Sequence, residues 1–140
     1  MRQARTMAET LYDPLRHIEV ASTPEERVRQ WFISQLLDSF HVPAHLMMSE
    51  TGFHFGGKQY RADILVYGRD GLPRVIVECK RPQVKLGPSV LEQAMRYNIV
   101  LSVDWIIVTN GLATYVHHRE GSRFVPFSHV PDYAEMICQP

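Results

Sequence analysis

The chain of 140 residues has no net charge, two cysteines, and no apolar run approaching the roughly 20 residues a membrane-spanning helix needs. Each shortage excludes something. Fifteen basic residues balanced by fifteen acidic ones argue against a protein that grips nucleic acid by bulk charge, because sequence-independent affinity comes from Lys and Arg neutralising phosphates. Cys79 and Cys138 lack C-x-x-C spacing, which suggests neither a zinc site nor a disulfide framework. No charged-then-apolar start reads as a signal peptide, so a cytoplasmic protein without membrane contact is expected. No G-x-x-x-x-G-K-[ST] run is present, so no P-loop is expected.

What is present is ordinary globular composition, 45% hydrophobic and 21% charged, enough for one domain with a real core. Residues 1–22 show little periodicity and read as an N-terminal arm or extension, with 23–140 as a single domain. Thr23 is a good N-cap with Pro24 at N1 and Glu26 at N3, the capping-box pattern. A helix of about fifteen residues follows, with Val28, Trp31, Phe32 and Leu36 on one stripe. Strand-like runs Met47 to Phe55 and Tyr60 to Tyr67 flank Gly56-Gly57, and a third strand from Val75 completes an antiparallel meander. A helix from Ser89 to Leu101 and the apolar strand Asp104 to Thr109 then make a β-α-β crossover, setting that strand parallel to the third. Asn110-Gly111 turns the chain back through 113–116, and Arg123 to Phe127 adds an edge strand. The predicted class is α/β, an αβββαβ core with a mixed central sheet flanked by helices, since the hairpin strands are apolar on both faces.

The chemistry concentrates in one hairpin, Arg61-Ala62-Asp63-Ile64-Leu65-Val66-Tyr67, then Asp70-Gly71, then Val75-Ile76-Val77-Glu78-Cys79-Lys80. A type I′ turn at Asp70-Gly71 requires φ > 0 at both residues; it sets Arg69 against Leu72, Tyr67 against Arg74, and Asp63 against Glu78. Cross-strand partners share a face with Cβ atoms about 5 Å apart, and the period of two adds Lys80 to that face. Two carboxylates so placed repel unless a cation lies between them. Carboxylate oxygens suit Mg²⁺ or Mn²⁺, and Mg²⁺ typically takes one or two of them while water and substrate phosphate fill its other positions. A lysine alongside stabilises phosphorane-like charge, or orients or deprotonates the attacking water. The expected reaction is phosphodiester hydrolysis.

Asp63, a hairpin and then Glu78-Cys79-Lys80 resemble the PD-(D/E)xK nuclease signature. The run from Thr23-Pro24-Glu25-Glu26-Arg27-Val28-Arg29 to Val108-Thr109-Asn110-Gly111, roughly two thirds of the chain, resembles the N-terminal nuclease domain of type I restriction enzyme R subunits. Arg81-Pro82 after the lysine, and Gln93-Ala94-Met95-Arg96-Tyr97, similar to a glutamine-tyrosine helix motif, extend the match. Ala62 stands where the motif has its proline, which is no metal ligand. The resemblance implies a restriction-endonuclease-like fold and a Mg²⁺-dependent endodeoxyribonuclease of restriction-modification type. It further implies that the Cys79 backbone carbonyl joins the metal, that Gln93 and Tyr97 face the site, and that motor or methylation subunits are partners. Double-strand cutting would need two such sites, as a homodimer would supply. The alternatives are a non-catalytic DNA-binding or subunit-docking module of a restriction or repair complex, and a hydrolase of another phosphodiester.

Glu25 projects with Val28, Phe32 and Leu36 on a helical wheel and is the expected additional acid, with Glu26 close behind it in claim. Gln93 and Tyr97 are four apart, hence on one helix face. Lys58, Arg61, Arg81, Lys85 and Arg96 fall near the active edge as candidate DNA contacts, so weak intrinsic affinity for DNA, supplemented by other domains, is expected. His117, His118 and His129 form no cluster, because neighbouring strand residues face opposite sides. Trp31, Trp105 and Cys79 read as core.

Overall fold

The computed structural model describes residues 9–138; within that span the side chains of Phe53, Phe55 and residues 97–100 lie outside the description. The segment read as an arm folds, from Thr10 onward, into a hairpin of β1 (Thr10–Asp13) and β2 (Ile18–Ala21). Asp13 makes the turn: its Oδ1 accepts from the backbone N–H groups of Leu15 and Arg16. The same carboxylate is fully buried and accepts from Ser49 Oγ at 2.7 Å, fastening the hairpin to the main sheet. Burial pushes its pKa up, but the bonds from Ser49, Arg16 and Leu15 outweigh this and bring it to about 2.

Helix α1 (Pro24–Asp38) starts as its sequence predicts, with Thr23 Oγ1 accepting from the Glu26 N–H at 3.1 Å and Pro24 in the first turn. The return half of the capping box is absent, because Glu26 turns its carboxylate to Arg16, Arg29 and Gln30 instead. The inward face of α1 carries Val28, Phe32, Ile33 and Leu36, together with Glu26 and Arg29. Two stripe assignments are corrected. Glu25 keeps its side chain 47% exposed, and Trp31 is 42% exposed. Both lie on the flank, since apolar spacing fixes a stripe's direction but not its width.

A 3₁₀ turn (Ala44–Leu46) leads into β3 (Met47–Phe55), β4 (Lys58–Tyr67) and β5 (Pro73–Cys79), followed by α2 (Pro88–Leu101), β6 (Trp105–Thr109), β7 (Thr114–Glu120), β8 (Arg123–Phe127) and the short α3 (Tyr133–Met136). The six strands β3 to β8 form one sheet in chain order, antiparallel except for the parallel β5–β6 pair. This is the mixed α/β sheet expected. Its α1 face packs Ile64, Val66, Val75, Val77 and Ile107 on Phe32, Ile33 and Leu36. Its α2 face packs Leu65, Ile76, Ile106 and Val108 on Val90 and Ala94. Each such side chain, fully buried, contributes about 1.5–3 kcal/mol. Among the described residues no helix is long and apolar enough to cross a membrane.

The β4–β5 register arrives as predicted by a route that was not. No type I′ turn forms at Asp70-Gly71: Gly71 has φ 81° but Asp70 is not left-handed, and its carboxylate accepts from the Leu72 N–H. A longer loop, closed by the Gly68 N–H on the Leu72 carbonyl, pairs Tyr67 with Pro73 rather than Arg74. A bulge then takes up Arg74, and Val66–Val75, Leu65–Ile76 and Ile64–Val77 pair as the sequence implied. Pro73, lacking an N–H, starts the strand where the ladder can spare a donor. The two-residue turn is at Gly56-Gly57, with φ 58° and 78°, closing Phe55 onto Lys58.

Candidate active site

At the end of β5 the sheet opens between α1 and α2, and charged side chains enter the apolar core. Val77 and Cys79 belong to the α1-side core, so alternation turns Glu78 and Lys80 to the α2 face. There Lys80 Nζ donates to Gln93 Oε1 on α2 at 3.4 Å, while its backbone N–H donates to the Thr109 carbonyl at 2.9 Å. Tyr97 lies one turn beyond Gln93 on the same helix; its side chain is outside the described residues.

Asp63 is where β4 departs from regular alternation. Ala62 packs in the α2-side core and Ile64 in the α1-side core, although two residues apart should share a face. Opposite this irregularity, between the Ser49–Ile64 and Thr51–Ala62 pairs, Glu50 sits at φ 52°. A non-glycine residue there costs of order 1–3 kcal/mol, a strain found mostly at functional positions. The outcome is that Asp63 does not simply face Glu78 across the ladder. Its Oδ2 accepts from the Cys79 backbone N–H at 2.7 Å and its Oδ1 from Arg29 Nη2 at 2.7 Å. In a strand a residue's N–H and C=O point to the same neighbour, so the Cys79 carbonyl is also directed to the Asp63 side. The Cys79 thiol is fully buried, and burial pushes its pKa up.

Glu78 is 3% exposed. Burial first, and the Asp63 carboxylate second, push its pKa well above the usual carboxylate range, with Lys80 opposing them. Asp63 is close enough to raise the Glu78 pKa, while Glu78 Oε1 has no hydrogen-bond partner although it is buried. A buried oxygen left in this way, beside a second carboxylate with spare lone pairs, fits a hard divalent cation. Among the described residues no group of three or more His, Cys, Asp or Glu side chains is placed to hold a metal ion.

Glu25 and Glu26 divide their roles. Glu25 stands within electrostatic range of Asp63, Lys80 and Glu50, and burial followed by Asp63 raises its pKa. Glu26 is the more buried of the two but faces Arg16, Arg29 and Gln30. Two residues that sequence reading passed over complete the site. Arg29 reaches Asp63, Glu50 at 2.6 Å, Glu25 at 3.4 Å, and Glu26. Glu50 also binds Arg61 at 2.7 Å. An arginine within the apolar stripe of α1 was the available signal, because a buried charge needs a partner.

Of the candidate DNA contacts, Lys58, Arg61, Arg81, Lys85 and Arg96 are all exposed. Arg61 is tied to Glu50, and Lys58 sits at the Gly56-Gly57 hairpin tip. The histidines are apart. His118 stacks on Trp105 at 4.0 Å between ring centroids, His117 lines an apolar cleft beside Val108, and His129 pairs with Glu135.

Residues 24–131 match the family model of the type I restriction enzyme R protein N terminus. That span is most of the chain. This chain belongs to that family. Its fold is similar to the fragment structure of a protein assigned as an HsdR subunit of a type I restriction enzyme from Vibrio vulnificus YJ016, with a TM-score of 0.64 at 21% identity. The likeness covers 80% of this chain and 24% of that one, so the R protein N-terminal domain described here spans about a quarter of the length of its structural counterpart. Among curated proteins none matches.

Proposed function

We propose that this R protein N-terminal domain hydrolyses DNA phosphodiester bonds by PD-(D/E)xK chemistry. The observation that carries the reading is the pair of buried carboxylates Asp63 and Glu78 at one strand end, with an unpartnered Glu78 oxygen and Lys80 beside them. Asp63, Glu78 and the Cys79 backbone carbonyl would hold Mg²⁺ or Mn²⁺. Bound there, the ion would supply Lewis-acid stabilisation of phosphate charge and a more acidic water. Lys80, steadied by Gln93, orients the attacking water and offsets charge developing on the phosphate oxygens. Glu25 faces the same space from α1 and is placed to hold a water's proton, its raised pKa suiting that task. Tyr97 is assigned to the same helix face as Gln93. Arg29, donating to Asp63 Oδ1, holds that carboxylate in place. Motor and methylation subunits are the proposed partners within a restriction system, in the cytoplasm, with a second copy supplying the other strand's cut.

The test is incubation of supercoiled plasmid with the purified chain and Mg²⁺ or Mn²⁺. Nicking is expected, and Asp63→Ala and Lys80→Ala should each lower it at least ~100-fold with the circular dichroism spectrum unchanged. Equal nicking by wild type and both variants would place the activity elsewhere.

A further inference from the structure

A cleft of about 260 Å³ lies against the site, between the first turns of α1, the loop after β5 and the β6–β7 turn. It is lined by Trp31, Leu112, Pro82, Arg27, Val28 and Gly111. Trp31 and Leu112 are 42% and 80% exposed, large apolar surfaces on a chain whose other tryptophan is buried. The cleft is built rather than incidental. Gly111, at φ 85°, lies so close to Val28 that a Cβ would meet Val28 Cγ2 at 3.3 Å. Asn110 Oδ1 accepts from the Leu112 and Ala113 N–H groups, and its Nδ2 donates to the Val84 carbonyl at 2.9 Å, locking the two loops together. Arg27 is held by Ser22, to whose carbonyl its Nη1 donates at 2.9 Å. The Trp31 ring leans on the buried Phe32 with centroids 5.9 Å apart.

Position and charge say what enters it. Pro24 precedes Glu25, Pro82 follows Lys80 by two residues, and Gly111 follows by two residues Thr109, whose carbonyl accepts from the Lys80 N–H, so each side of the cleft adjoins the site along the chain. Its lining residues include Arg27 and no carboxylate, and the exposed Arg81 precedes the lining residue Pro82 in the chain. An aromatic face, flanking apolar walls and an arginine are the elements that hold an unstacked nucleobase and its phosphate. We propose that this cleft binds an unpaired base of the DNA strand being cut, stacked on Trp31. The inference rests on the nuclease reading and adds a preference: the domain acts on single-stranded or flared DNA ahead of blunt duplex.

The experiment follows intrinsic fluorescence of the full chain in EDTA, where no cutting occurs, during titration with a short oligothymidine and with a blunt duplex. Of the two tryptophans, Trp105 is 3% exposed, so quenching reports Trp31. Saturable quenching by the oligothymidine is expected, with weaker response to duplex. Trp31→Leu should lower affinity for a labelled oligothymidine about tenfold, and Trp31→Phe should retain most of it. Leu112→Gln, on an exposed wall, should weaken binding less. Unquenched fluorescence, or Trp31→Leu binding as tightly as wild type, overturns the proposal. If wild type nicks plasmid with metal yet shows no quenching, the cleft assignment falls and the nuclease reading stands; quenching without any metal-dependent nicking supports the cleft and sinks the nuclease reading.

Discussion

The two ends of β5 carry charge in opposite manners. At its start Arg74 donates to Asp70 and Asp104, and Arg119 also pairs with Asp104, so two arginines meet two carboxylates at the protein's rim. At its end Asp63, Glu78, Glu50, Glu25 and Glu26 gather about Arg29 and Lys80, with Arg61 and Arg16 at the margin. One end is balanced and structural. The other crowds carboxyl groups at a strand irregularity, where Glu78, buried beside Asp63, holds its proton in the metal-free protein and leaves one oxygen unpartnered. Evenly matched charges need nothing more, whereas a buried carboxyl kept protonated beside a second carboxylate ionises where binding of a cation offsets its charge.

Breaking each end separately sharpens this contrast. Arg29→Met removes a cation whose side chain is 6% exposed and leaves its carboxylates unopposed. Urea unfolding should show a loss of about 3–5 kcal/mol. Arg74→Met at the rim should cost about 1 kcal/mol, and equal losses at the two ends would erase the distinction.

Glu78→Gln should act in the opposite direction. Between the ordinary carboxylate pKa of about 4 and the value near 9 reached by Glu78, the folded chain keeps a proton that the unfolded chain has lost. Stability of the metal-free protein therefore falls as pH rises through that window. Glutamine, which does not titrate, should stabilise the metal-free protein at pH 8 by about 1–2 kcal/mol while abolishing activity, and the gain should vanish near pH 4. A variant less stable than wild type at pH 8 would contradict this. Smallest of all, Arg61→Ala removes an exposed partner of Glu50 and should shift stability by less than about 0.5 kcal/mol, measured by thermal melting.

Much of this was legible in the sequence, for reasons that differ by element. The αβββαβ order follows from turn residues and apolar runs, which are local. The Ile64–Val77 register was read from a turn that does not form, and survives because the bulge at Arg74 restores the residue that the longer loop displaces. Arg29 and Glu50 were missed because their partners lie on other elements, out of reach of spacing arguments. Trp31 was read as core, since an aromatic residue at the flank of a stripe obeys the same period as one at its centre. The β1–β2 hairpin is fastened by one carboxylate, Asp13, and Ser49 Oγ, a contact between distant positions with no periodic trace; only Asp13-Pro14 hinted at its turn.

The central claim is that the crowded carboxyl pair Asp63 and Glu78 at the end of β5 is a divalent-cation site. Calorimetric titration of Mn²⁺ into wild type, Asp63→Asn and Glu78→Gln tests it most directly. The account predicts one saturable site in wild type that both variants lose, whereas undiminished binding in both would contradict it.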